Sequence, residues 1–142
     1  MKILLPVDST ALSMHEVRFA LRLVEDGLRA EFVLANVQAP ATFYEVVTAK
    51  SPELIEAAAL DAGQDMLDAA DVPFTCEVVA GDPAQAMLDL IGTHEVDMVV
   101  MGTRALGWIR EAIEGSTSRR LLQYTPVPVL LVKPPEPADE GP

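Results

Sequence analysis

The sequence predicts a doubly wound α/β domain: one five-stranded parallel sheet with helices on both faces. Three observations predict it. Short apolar runs alternate with segments of helical period along the whole chain. Runs such as Met98 to Met101 are apolar at every position, as strands covered on both faces are. Turns rich in glycine, proline and aspartate separate the segments, and right-handed crossovers then give a parallel sheet.

The first strand is Lys2 to Val7. Pro6 has no N–H and belongs near its end. Ser13 and Glu16 form a capping box, so the first helix is under way by Ser13 or one turn earlier, with Val17, Ala20, Leu21, Val24 and Leu28 on one face. Gly27 weakens its last turn. Glu31 to Val37 is the second strand, and Gln38 to Lys50, without a firm period, reads as a loop. Ser51 caps a second helix and Pro52 takes its first position; Ile55, Ala58, Ala62 and Met66 form its buried stripe, and Asp71-Val72-Pro73 ends it. Phe74 to Val79 is the third strand. Asp82 caps the third helix, Pro83 opens it and Gln85 completes a capping box. Ala84, Met87, Leu88 and Ile91 face inward, and Gly92-Thr93 end it. Met98 to Met101 is the fourth strand, Ser116 to Tyr124 the fourth helix, and Val127 to Val132 the fifth strand. The tail from Pro134 to Pro142 carries four prolines and three acids; it buries too little to offset its ordering entropy and reads as disordered.

With 142 residues, half of them apolar, the chain has the material for one domain with a real core, residues 1–133. A net charge of −12 argues against nucleic acid or anionic membrane as a partner. Cys76, the single cysteine, excludes an intrachain disulfide and reads as a small buried hydrophobe. No apolar run approaches bilayer length and Met1-Lys2 leads straight into a strand, so the expected setting is the cytoplasm, without membrane insertion.

The chemistry concentrates between Val96 and Lys133. After the fourth strand comes Gly102-Thr103-Arg104-Ala105-Leu106-Gly107, and Gly115-Ser116-Thr117-Ser118 opens the fourth helix. Glycine admits close approach of backbone to a ligand, and the first turn of a helix offers N–H groups without intrahelical partners and a positive partial charge. The hydroxyls of Ser116, Thr117 and Ser118 add donors, so this stretch is built for anion binding. In such sheets, ligands sit beyond the carboxyl ends of the strands, where the winding reverses; Asp8 and Gly102 are both carboxyl-end residues.

This segment resembles the universal stress protein family. The family's nucleotide-binding members carry Gly, two residues, Gly, nine residues, then Gly followed by Ser or Thr. Gly102 and Gly115-Ser116 match that pattern, while Ala105 stands where the middle glycine falls. Gly81-Asp82-Pro83 and Asp97 to Gly102 also look like family sequence, and the resemblance covers residues 2–133. It implies strand order 3-2-1-4-5. It also implies a site for ATP or AMP in which Asp8 faces adenine and ribose, and Pro6, Val37 and Met101 lie near the base. Gly102, the Ala105 position, Gly115 and Ser116 then lie at the phosphates; from the residues themselves, Thr117 and Ser118 offer hydroxyl donors there, and Arg104 either pairs with phosphate or stays in solvent. Glu114 is a poor neighbour for a triphosphate; it counts against tight ATP binding or demands a divalent cation such as Mg2+. Trp108 reads as packing the loop onto the domain, and His15 and His94 as surface residues.

Arg119 and Arg120 in the first turn of the fourth helix oppose its dipole, which points to an acidic neighbour or a phosphate. A phospho-accepting receiver domain has the same size and winding. It needs an acidic pair after strand one and an aspartate after strand three, where this chain has only Asp8 and then Ala80-Gly81. No nucleophile–base pair is legible, so a dedicated enzyme is not expected, at most weak ATP hydrolysis. Two readings stand: an adenine-nucleotide-binding stress-response regulator, favoured by Asp8, Gly102 and the Gly115–Ser118 turn, and a dimeric scaffold acting through protein contacts without nucleotide, favoured by Ala105 and Glu114. In either, the apolar edge strand Val127 to Val132 is expected to pair with its copy in a homodimer, as family members do.

Overall fold

The computed structural model describes residues 1–7, 11–38, 52–102 and 116–133. Along them run β1 (Lys2–Pro6), α1 (Ala11–Glu25), β2 (Glu31–Gln38), α2 (Pro52–Ala69), β3 (Phe74–Ala80), α3 (Pro83–His94), β4 (Met98–Gly102), α4 (Ser116–Tyr124) and β5 (Val129–Val132). The strands form one parallel sheet in the order β3-β2-β1-β4-β5. This is the expected doubly wound α/β fold. The stretches 39–51 and 134–142, including the Ser51 cap and the proline-rich tail, lie outside the described residues.

Because side chains alternate across a strand, β1 feeds two cores. Leu4, Val33, Ala35, Val99 and Met101 face α3 and α4, against Ala84, Met87, Leu90, Ile91 and Leu121. Ile3, Leu5, Phe32, Leu34 and Val100 face α1 and α2, against Val17, Ala20, Leu60 and Leu67. Burial on both faces explains the continuous apolar runs, since each fully buried aliphatic side chain contributes roughly 1.5–3 kcal/mol relative to exposure.

Local rules gave way to packing in several places. The helix α1 begins at Ala11, within the turn before Ser13 that the sequence allowed, so Ser13 and Glu16 lie inside it, both about 1% exposed, and Ser13 is not its N-cap. Among the described side chains of α2 the buried ones are Leu60, Gly63 and Leu67, while Ala62 is exposed and Met66 half-buried; the side chains of Ile55 and Ala58 lie outside the described residues. The stripe is rotated because Gly63 brings the helix down onto Leu34. Asp82 does cap α3, its Oδ2 accepting from the Gln85 N–H at 3.0 Å, but the Gln85 side chain turns to Asp89 Oδ1 at 2.9 Å instead of closing the box. That helix runs on to His94 and ends on Glu95 in the left-handed conformation, φ 53°. The fifth strand starts at Val129, two residues late. Thr125 Oγ1 accepts from the Val127 N–H at 3.2 Å and donates to its carbonyl at 2.9 Å, tying Val127 into a turn.

Two side chains expected to be inert have partners. His94 is half-buried rather than on the surface, its Nε2 2.9 Å from Glu77 Oε1. Cys76 lies on the outer strand β3, half-buried, and its Sγ accepts from Gln64 Nε2 at 2.9 Å.

Candidate functional site

The winding of the sheet reverses between β1 and β4, so their carboxyl ends flank the place where open α/β sheets take ligands. Pro6 explains why the two strands part there. Successive ladder groups in a strand point to opposite neighbours. On the β4 side, Asp97 N–H donates to the Lys2 carbonyl at 2.7 Å, and on the β2 side Val7 N–H donates to the Ala35 carbonyl at 2.7 Å. By that alternation position 6 faces β4, and Pro6 has no N–H to give. The β1–β4 register accordingly covers Ile3↔Met98 and Leu4↔Val99, whereas β1 stays paired with β2 through Pro6↔Ala35. Proline in a central strand is uncommon; here it ends the β1–β4 ladder at the switch point.

Polar groups buried in the fold collect at this same end. Ser13, Glu16 and Asn36 are the buried polar or charged side chains among the described residues. Ser13 and Glu16 sit in the first turns of the helix that follows β1, and Asn36 near the end of β2. Asn36 is 4% exposed, and its Nδ2 donates to the carbonyl of Val7 at 2.9 Å. The sequence analysis did not place any of the three at this end of the sheet, although Asn36 carried a signal: it is a lone amide in the otherwise apolar centre of β2 (Phe32 to Val37).

The amino end of α4 lies across the sheet's α3 side. Leu121, 1% exposed, packs it into the core with Ala84 and Met87 of α3. For Arg120 the expected acidic neighbour is Asp82: Arg120 Nη1 lies 2.9 Å from Asp82 Oδ2, the oxygen that also caps α3. Both partners are about half exposed, so this pair orients the two helices more than it stabilises them.

Of the sequence-predicted site residues, Pro6 and Met101 are buried at the strand tips and Gly102 ends β4, half-buried, level with Val132 of β5. Val37 lies in β2 opposite Val79, and Ser116, Thr117 and Ser118 form the first turn of α4; the side chains of these four are outside what is described. Asp8, Arg104, Ala105, Gly107, Trp108, Glu114 and Gly115 lie outside the described residues. Among the described residues no cluster of His, Cys, Asp and Glu is spaced to hold a metal, and no helix is long and apolar enough to cross a membrane.

Comparison with known proteins decides the family. The model of the universal stress protein family matches residues 1–133. The chain belongs to that family. A universal stress protein of Methanocaldococcus jannaschii is 25% identical over an alignment that covers 95% of this chain and 83% of the relative. A second, from Synechocystis, is 27% identical over 92% of this chain and 83% of its own length. Solved universal stress proteins share the fold. One crystallised in complex with cAMP superposes with a TM-score of 0.68 at 21% identity, covering 94% of this chain and 96% of that one. A family protein from Arabidopsis thaliana with AMP bound gives 0.72 at 15% identity, covering 98% and 97%.

Proposed function

We propose that this universal stress protein binds an adenine nucleotide beyond the carboxyl ends of β1 and β4 and acts as a cytoplasmic stress-response regulator rather than a dedicated enzyme. The observation that carries the reading is the end of the β1–β4 ladder at the switch point: Pro6 stops the pairing where buried polar side chains gather and where Gly102 and the first turn of α4 meet the same end of the sheet. Relatives of this fold crystallised with cAMP and with AMP support the ligand class. In this reading Asp8 accepts from the ribose hydroxyls, Pro6, Val37 and Met101 lie along the base, and the backbone of Gly102, Ala105, Gly115 and Ser116 meets phosphate with help from Arg104, Thr117 and Ser118. Glu114 makes a triphosphate depend on Mg2+, and the methyl of Ala105 favours AMP over ATP. In this reading the functional domain is residues 1–133, the stretch that the family model matches.

The test is mass spectrometry of small molecules released by denaturing the purified protein, followed by calorimetry with AMP. An adenine nucleotide is expected in the released fraction, and Gly115→Val, placing a side chain where the ligand approaches, is expected to abolish binding in a folded protein. Unchanged AMP affinity in that variant would remove the assignment.

The scaffold reading rests on a different observation. Strand β5 is the last in the sheet, and Val129, Leu130 and Leu131 are each only partly covered among the described residues. By the ladder alternation, Pro128 faces β4, since its carbonyl accepts from Val99 N–H at 2.9 Å, so its missing donor does not guard the outer edge. Pairing of this edge with its copy gives a homodimer that leaves the switch point free, and it is compatible with either function.

A further inference from the structure

We propose that the outer edge of β3 is a docking site for an extended, basic segment of another protein, which adds to the sheet as a further strand. This edge is remote from the switch point between β1 and β4, so the proposal stands whether or not a nucleotide binds there.

Strand β3 is the last on its side of the sheet. Phe32 N–H donates to the Pro73 carbonyl at 3.0 Å, and Phe32 stands level with Phe74. Successive residues of a strand turn their backbone groups to opposite sides, so Thr75, Glu77 and Val79 bond to β2. Phe74, Cys76, Val78 and Ala80 then turn their N–H and C=O groups outward. Such an edge accepts another strand unless it is short or guarded by proline, lysine or an outward charge. Strand β3 is 7 residues long, against 4 for β5, and contains neither proline nor lysine. Its one charged side chain, Glu77, is drawn to the α3 side, 2.9 Å from His94 Nε2. Val78 is 39% exposed, an apolar side chain left open beside the free ladder groups.

The charge along this edge selects the strand that fits. Gln64 Nε2 donates to Cys76 Sγ at 2.9 Å, which places that side of α2 against β3. Asp61 and Asp68, three residues before Gln64 and four after it, share its side of the helix, and Asp65 widens the ridge. All three are exposed, and none makes an ion pair among the described residues. From Ser51 to Thr103 the chain has no lysine or arginine to offset them. A second copy of this chain is a poor occupant. Antiparallel pairing of two β3 edges about a twofold axis brings both aspartate ridges to one seam, in a protein of net charge −12. A strand with lysine or arginine at alternate positions sets its charges on the α2 face, over Asp61, Asp65 and Asp68, while its backbone completes the outward ladder.

The probe is a capped peptide of the same length as β3, lysine alternating with threonine, and its counterpart with glutamate for lysine. Fluorescence anisotropy at low salt gives the affinities, and amide exchange by NMR gives the pattern along β3. The lysine peptide is expected to bind and the glutamate peptide not to. At saturation the Cys76, Val78 and Ala80 amides are expected to exchange about tenfold more slowly, while Thr75, Glu77 and Val79, already in the ladder, stay unchanged. Val78→Pro removes an outward donor without touching the β2 ladder, and is expected to weaken binding about tenfold in a folded protein. Asp61→Asn, Asp65→Asn and Asp68→Asn together are expected to weaken it about as much, as loss of three exposed pairs does. Binding without the alternating protection, or at full affinity in a folded Val78→Pro protein, would reduce the contact to unspecific charge attraction and overturn the proposal. If Val78→Pro does not fold, the exchange pattern in the unmodified protein decides by the same criterion. No binding of the lysine peptide overturns it as well. Protection of the same amides that grows with protein concentration, without peptide, would give the edge to a second copy and likewise overturn it.

Discussion

Replacing Gly63 with alanine sets two opposing effects against each other, and the fold decides the sign. Gly63 lies within α2, where alanine is the better helix former by about 0.8–1.0 kcal/mol. On a free helix the change would therefore stabilise. Here a Cβ at position 63 would lie 3.0 Å from Cδ2 and 3.2 Å from Cδ1 of Leu34, whereas relaxed carbon contacts are about 3.5–4.0 Å. Leu34 has no exposed surface and is flanked in register by Leu5 of β1 and Cys76 of β3, so its methyls have nowhere to move. Overpacking of this kind costs about 1–3 kcal/mol, leaving a net loss on the order of 1 kcal/mol. For a chain of this length that lowers Tm by roughly 3 °C. The decisive comparison is with Leu34→Ala, which alone costs about 2–5 kcal/mol. With the Leu34 methyls gone, Gly63→Ala is expected to become stabilising through helix propensity alone. Thermal and urea unfolding of the two single variants and the double variant measure the sign in each background. A Gly63→Ala protein more stable than the unmodified one, or one equally destabilised in both backgrounds, would refute the reasoning.

At Asp82, alanine removes the α3 cap and the Arg120 pair together, so urea unfolding is expected to show a loss of about 1 kcal/mol. Asparagine keeps the cap and loses only an exposed pair, so it should stay within about 0.5 kcal/mol of the unmodified protein; equal losses in both variants would mean the cap is not what matters. Ala105→Gly is expected to tighten ATP more than adenosine in calorimetry, and equal gains for both would move that methyl away from the phosphates. For assembly, Val129→Pro removes an N–H that by ladder alternation points away from β4, so sedimentation should show a dimer for the unmodified chain and a monomer for this variant. Leu130→Lys would be a poorer probe, because Leu130 packs against the core beneath α1 and α2. A monomeric unmodified protein at micromolar concentration would dispose of the dimer.

Much of this protein was written in one dimension. Burial on both faces demands unbroken apolar runs, so β1 and β4 were legible from Leu4 and from Met98 to Met101. Asp82 before Pro83 announced a helix start that the folded chain keeps, since a cap is a contact between near neighbours. The glycine-and-serine pattern from Gly102 to Ser118 marked the family, and with it the strand order. Contacts distant in sequence escaped such rules. Ser13 and Glu16 have the spacing of a capping box, yet the domain begins α1 earlier and buries both. The buried stripe of α2 turned on how closely Gly63 approaches Leu34, and no periodicity contains that distance. Arg120 met Asp82 across 38 positions, and Asn36 reached Val7 across 29. Period and capping fix which residues an element offers, because they act within a few residues of chain. Only the sheet's winding decides which offered groups meet, because it alone brings the ends of β1, β2 and β4 to one edge.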